Sequence, residues 1–220
     1  MLCVPGDRKP PADPWSIYLS YSHRRPWWFD ADDDVQTWYI SADVHDERGA
    51  AVSHVGDITI VLVDLDDTED PAGLLDGEDA DLGLIAGTIF DPTGGLTDEL
   101  DELIEPFGSK VLILHSVTLT PEWRGFGLGA LLAGTAIKTL SGGACAAICY
   151  PAPLGNRSDD PATRERQIDK LAQLWAHLGF EHYRNGVHVL HLNLTTLDEN
   201  LTRLRHHAEQ HQHDDADIPD

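Results

Sequence analysis

Hydrophobic and polar positions change rhythm several times along this chain. Trp15 to Ser22, WSIYLSYS, alternates and is rich in β-formers, the period of a strand with one face toward a core. Gln36 to Val44 and Val55 to Leu65 repeat the pattern on either side of a turn at Glu47-Arg48-Gly49. In the first of these, Thr37, Tyr39, Ser41 and Asp43 alternate against Trp38, Ile40, Ala42 and Val44, so one face is polar. Val111, Leu112, Ile113 and Leu114 form an unbroken apolar run, which suits an interior strand covered on both faces. Pro121 cannot donate to a sheet ladder, so this strand ends near Thr120. Leu128, Leu131, Leu132, Ala136 and Leu140 then recur at helical spacing. Ala144 to Tyr150 predicts another strand. Ala162 to Leu178 predicts a helix ended by Gly179. Phe180–Tyr183 and Val187–Leu192 predict a hairpin across Arg184-Asn185-Gly186. Shorter helices are expected over Ala80–Phe90 and Thr97–Phe107, the second with acids in its first turn. A last helix is expected from Thr195 to His206.

The remaining segments read as connections. Met1 to Pro14 is proline-rich and predicts a flexible lead-in, neither signal peptide nor anchor. Asp64 to Asp81 is acidic but lacks the EF-hand spacing, which predicts a solvated loop. Beyond His206, histidines and acids follow one another with no apolar residue to fold around, so 206–220 is expected to be an acidic disordered tail. A single domain over residues 15–205 remains.

Charge and cysteines narrow the functional classes. The 220-residue chain carries a formal net charge of −23, which disfavours nucleic acid and anionic membrane surfaces and favours cationic partners. No stretch reaches the length of a membrane span. Cys145 and Cys149 are expected on one strand face, too far apart to bridge. With Cys3 they make no disulfide framework or zinc spacing, so no metal is expected and a reducing cytoplasm is. Four of the six tryptophans fall within the first 38 residues; they are expected to cover a sheet, with an acceptor pocket as the alternative role.

The chemistry concentrates behind the apolar strand. Gly125, Gly127 and Gly129 follow Arg124 and lead into a helix whose first-turn N–H groups suit phosphate oxygens. There is no P-loop run of Gly, four residues, Gly, Lys and Ser or Thr. Gly125, Gly127 and Ala130 formally fit the dinucleotide pattern. However, Pro121 to Arg124 intervene after the strand, and the following strand ends in Tyr150-Pro151 without the carboxylate that pattern needs.

Arg124-Gly125-Phe126-Gly127-Leu128-Gly129 matches R-x-x-G-x-G and resembles the acyl-coenzyme A signature of the GNAT acetyltransferase superfamily. The resemblance covers about residues 110–192. Ser116 to Trp123 looks like that family's fourth strand and its connection to the central helix, and Leu171 to Phe180, LAQLWAHLGF, looks like its later helix ending in Gly-Phe. It implies an α/β fold: a mixed, twisted sheet with helices on both faces, splayed between two central strands. It further implies that acetyl-coenzyme A is held by backbone groups of Val117 and Leu119 and by the turn Arg124, Gly125, Phe126, Gly127, Leu128, Gly129 and Ala130. The backbone N–H of Leu119 would also serve as oxyanion donor.

Where the family often has a strand carboxylate as base, this strand carries His115. Where it often has a Tyr as acid, this helix carries Trp175, leaving Tyr150 and Tyr183 as substitutes. Cys149 as an acyl carrier has no partner histidine at a spacing that supports it. The family's usual order places two helices after the first strand; here three strands come first and the helices come after them, at about 80–107. The implied activity is acetyl-coenzyme A-dependent N-acetylation of an amine. The alternative is a non-catalytic acyl-coenzyme A-binding or regulatory module, and a dinucleotide oxidoreductase comes third.

Overall fold

The computed structural model describes residues 9–25, 27–28, 35–104, 107–153 and 160–216, with side chains as far as 209 in the last segment. Seven strands form one sheet: β1 (Ile17–His23), β2 (Gln36–His45), β3 (Ala51–Asp64), β4 (Lys110–Leu119), β5 (Ala144–Cys149), β6 (Glu181–Arg184) and β7 (Val187–His191). Their order is β1-β2-β3-β4-β5-β7-β6. Every pairing is antiparallel except β4 with β5, which is parallel. A parallel neighbour requires a crossover, and α4 (Leu128–Leu140) is that crossover. The other described helices are α1 (Pro71–Glu78), α2 (Ala80–Ile89), α3 (Asp98–Ile104), α5 (Pro161–Ala176) and α6 (Thr196–Ala216).

The strand alternation divides the helices between two cores. Ile58, Ile60, Leu112 and Leu114 join residues of α4 to α6, among them Ala133, Ile137, Trp175 and Leu201. Val61, Val63, Val111 and Ile113 join residues of α1 to α3, among them Leu75, Ile85, Leu100 and Ile104. The unbroken apolar run of β4 is thus a strand sandwiched on both faces, as its composition requires. Among the described residues three strands precede the first α-helix, as the pattern predicted.

Several expectations are corrected. The acidic stretch 64–81 is not all loop, because α1 forms within it. Asp70 caps that helix by accepting from Gly73 N (2.9 Å), Pro71 opens it, and Leu75 is fully buried. A cap followed by Pro was the available signal; its apolar content was too small to show a period. The tail was expected to lose structure at 206, yet α6 continues to Ala216. Leu197, Leu201 and Leu204 anchor its first half in the core, and extending a formed helix costs far less than starting one. Cys145 and Cys149 lie on opposite faces. Lys110 pairs with Ala144 but Val111 pairs with Ala146, so Cys145 is an extra residue that turns into the α1–α3 core while Cys149 stays in the other. Among the tryptophans, Trp38 packs against the sheet core, whereas Trp27 and Trp28 are 90% and 71% exposed. Phe29, the tail end 217–220, residues 1–8 of the lead-in and Cys3 fall outside the described residues. Among the described residues no helix is long and apolar enough to cross a membrane.

Three irregularities of register shape the β2–β3–β4 region. One leaves Val55 as an extra residue on β3, opposite the step from Ala42 to Asp43, bringing Asp43 opposite His54. When protonated, His54 donates from Nδ1 to Asp43 Oδ1 (2.8 Å) and from Nε2 to Asp57 Oδ2 (3.1 Å). The hydrogen bond to Asp43, reinforced by Asp57, raises the His54 pKa despite partial desolvation. Burial pushes Asp43 upward, but Ser41 Oγ (2.7 Å) and His54 outweigh it and the net shift is downward. The raised group stabilises the fold fully below the ordinary histidine value of 6.5 and loses its effect as pH rises through the higher folded value. The lowered one stabilises above 3.8 and fails as pH falls through its lower folded value. The cluster therefore contributes most between those limits.

Two outcomes are expected. An NMR titration will place the His54 imidazole above an ordinary histidine, and Asp43→Asn will bring it back down. At Gly56, a Cβ would collide with the backbone carbonyl of Thr118, so Gly56→Ala will cost about 1–3 kcal/mol, seen as a fall of several degrees in Tm.

Candidate functional site

The site begins with an irregularity in β4. Ile60 pairs with Leu114, but Thr59 pairs with Ser116, leaving His115 as an extra residue. This bulge moves the strand alternation on by one. Leu112 and Leu114 face α4–α6, and beyond the bulge it is Val117 and Leu119 that pack on that core. On its other edge, β4 pairs with β5 only as far as Leu114 opposite Cys149. Tyr150 and Pro151 then end β5, Pro151 because it has no N–H for the ladder.

Beyond that point β4 remains bound to β3 but has no strand on its β5 side among the described residues. Thr120 N donates to Val55 O (2.9 Å), so by the alternation of an antiparallel pair the main-chain groups of Thr118 also face β3. Those of Val117 and Leu119 point the other way, into the gap. Arg124 Nε occupies one of them, donating to Leu119 O at 2.8 Å.

The chain is pinned where it leaves β4. A 3-10 turn over Pro121–Trp123 buries the Trp123 side chain to 1% exposure. Gly125 and Gly127 then take φ of 92° and 75°, a left-handed conformation that side chains resist. Gly127 is the cap of α4 and offers no side-chain hydrogen bond. The first-turn N–H groups at Leu128, Gly129 and Ala130 therefore lack a capping side chain, while Leu128 and Ala130 bury theirs in the core. Phe126 packs against the same core. The Glu122 carboxyl is held below the usual range by its backbone N–H, the Thr120 hydroxyl and the Arg124 charge.

The gap opens as a cleft of about 360 Å³, within the range of small-molecule sites. Its walls include His115, Val117, Leu119, Arg124, Tyr150 and Trp175. Both candidate catalysts, His115 and Tyr150, thus share one cleft with the predicted backbone grips and Arg124. Gly125 to Ala130 are not among the walls and come directly after Arg124. Tyr183 lies elsewhere: its hydroxyl is 3.1 Å from Thr97 Oγ1 and its ring packs on the α1–α3 core. Trp175 is 7% exposed and presents an aromatic wall with no dissociable proton.

One residue escaped the sequence reading. His188 on β7 lies directly across from Cys149, and its ring meets His182 edge-on at 5.3 Å. It is 9% exposed and its Nδ1 has no hydrogen-bond partner. Burial, with His182 nearby, lowers its pKa and keeps it neutral. Nothing in the local sequence signals this pairing, which the sheet register creates. Burial pushes the Cys149 thiol far up as well, so the pair is a neutral thiol beside a neutral imidazole, with no activated thiolate. Among the described residues no group of three His, Cys, Asp or Glu side chains is placed to hold a metal ion.

Cys149 is accordingly expected to resist iodoacetamide at pH 8 in the native protein and to react on denaturation, which peptide mass spectrometry will read. In comparisons with known proteins, no protein-family model, curated protein or solved structure matches this chain.

Proposed function

We propose that the chain is an acetyl-coenzyme A-dependent N-acetyltransferase of the GNAT type, acting on an amine by direct transfer in a reducing, cytoplasmic setting. The observation that carries this reading is the edge of β4 at Val117 and Leu119, which has no strand on its β5 side among the described residues and opens onto a cleft that also holds Arg124, His115 and Tyr150. A strand edge satisfied by a ligand's amides is a known mode of recognition, and the pantetheine arm carries amides to satisfy it. The first turn of α4, preceded by two left-handed glycines, supplies N–H groups and a positive dipole end for phosphate oxygens.

The chemistry assigned to the residues is proton management. The amine nitrogen bonds to the acyl carbon as the carbon–sulfur bond breaks. His115 takes the proton the amine loses, and Tyr150 gives one to the departing sulfur and recovers it through solvent, so the net change moves one proton from nitrogen to sulfur. The Leu119 N–H faces the cleft, where an oxyanion donor is needed.

A second reading has its own support. Trp175 stands where this family often places its acidic tyrosine, and it fills that side of the cleft. This favours a module that binds acyl-coenzyme A without turning it over.

The expected outcomes separate the two. Acetyl-coenzyme A at 100 times its Kd will stabilise the chain by about 2.7 kcal/mol, and Arg124→Glu will abolish most of that shift. Coenzyme A release in the presence of amines will fall by about 10²-fold or more in His115→Gln and in Tyr150→Phe. Binding without any turnover favours the module. Stabilisation by NADH but not by coenzyme A would reject both.

A further inference from the structure

We propose that the acceptor lies along the uncovered face of β1–β3, and that it is a small amine carrying a second cationic group seated at Asp57. The inference rests on the acetyltransferase reading and names its substrate class. On this side of the sheet, α1 to α3 cover residues of β3, β4, β5 and β7, and take none from β1 or β2. The outward side chains of β1, Tyr18, Ser20 and Ser22, are exposed, as is Tyr39 on β2.

The register makes two rows from this bare face to the cleft. Ser20, Ser41, Asp57 and Thr118 are successive cross-strand partners, and so are Ser22, Tyr39, Thr59 and Ser116. Thr118 and Ser116 at the ends of these rows are cleft walls. A groove of about 260 Å³ runs over the first three strands, lined among others by Ser20, Ser22, Tyr39, Ser41, Asp57 and Thr59. It lies just below the usual range of small-molecule sites, which suits a short-chain ligand.

Charge selects the ligand. Asp57 is the groove's carboxylate, its side chain 67% exposed; its Oδ2 faces His54 Nε2 at 3.1 Å, which leaves Oδ1 to the ligand, and the remaining polar side chains are hydroxyls able to accept from an ammonium. The Tyr39 ring, 55% exposed, offers a cation its face. The net charge of −23 draws cations toward the whole molecule.

Spacing then sets the length. Neighbouring strands lie about 4.8 Å apart, so Asp57 is one such step from Thr118 and roughly 5–10 Å from the gap beyond it. A diamine with a five-carbon chain covers that distance, leaving one nitrogen charged at Asp57 and the other in the cleft. A monoamine engages one end only.

The test is steady-state turnover of acetyl-coenzyme A by the full chain with 1,5-diaminopentane or pentylamine. A preference of about tenfold in kcat/KM for the diamine, carried by KM, is expected. Asp57→Asn will remove most of it without changing the KM for acetyl-coenzyme A, and Ser20→Lys will do the same by adding a like charge to the groove. Equal use of both amines, or a preference untouched by both variants, overturns the proposal while leaving the acetyltransferase reading intact. Should neither amine be turned over, that reading fails, and an NMR titration of the protein with 1,5-diaminopentane alone decides the groove. Shifts at the Ser41, Asp57 and Thr59 amides would uphold a dication site there, and their absence would reject it.

Discussion

The candidate site depends on one mismatch of length. The parallel ladder between β4 and β5 stops at Leu114 opposite Cys149, while β4 itself runs on to Leu119 held by β3. Backbone groups turned away from β3 over that extension have no strand neighbour among the described residues, and main-chain groups taken from water need partners. An unpaired edge at the centre of a sheet, rather than at its margin, is enclosed on both sides. It is therefore sheltered from the edge-to-edge pairing that a strand at the margin invites. The His115 bulge belongs to the same device. By shifting the alternation, it keeps Val117 and Leu119 seated on the α4–α6 core while their main-chain groups face the gap.

The segment leaving β4 converts the edge into a directed opening. Trp123 anchors the exit, Arg124 returns to grip Leu119 O, and two left-handed glycines start α4 without a capping side chain. Each element is minor alone. Together they put a guanidinium and a strand edge in one cleft and start a helix directly after it, and the single stretch from Lys110 to Ala130 supplies all three. Among the described residues the cleft chemistry is otherwise sparse: Cys149 in its wall is buried and neutral, and His115 and Tyr150 are the other wall residues besides Arg124 with a titratable side chain.

Acidity is divided by position in the fold. Many of the carboxylates lie in loops, on exposed faces or at helix N-termini, where Asp70, Asp79 and Asp160 act as caps. On the bare face of β1–β3 the acids are instead tied to a histidine, in a cluster whose geometry depends on the β3 bulge at Val55. A sheet face left without a helix has to be polar, and the alternation of Tyr39, Ser41 and Asp43 against Trp38, Ile40, Ala42 and Val44 already required that.

Local pattern was enough to place the strands and most helices, because a period of 2 or 3.6 and the punctuation of Pro and Gly are written in neighbouring residues. It also singled out Arg124 to Ala130 as a turn into a helix, and the double-sided burial of Val111–Leu114. It missed α1, which rests on a cap and one deeply buried leucine, and it stopped α6 too early, because helix propagation draws on packing begun further back. The faces of Cys145 and Cys149 were misassigned because a bulge is a property of a pair of strands, and one strand alone does not show it. For the same reason, only the tertiary structure decided that His115 and Tyr150 share a cleft, that Tyr183 does not, that His188 lies across from Cys149, and that β1–β3 keep one face bare. Each of these depends on register between segments distant in sequence, where the contacts that fix it are made only once the sheet has formed.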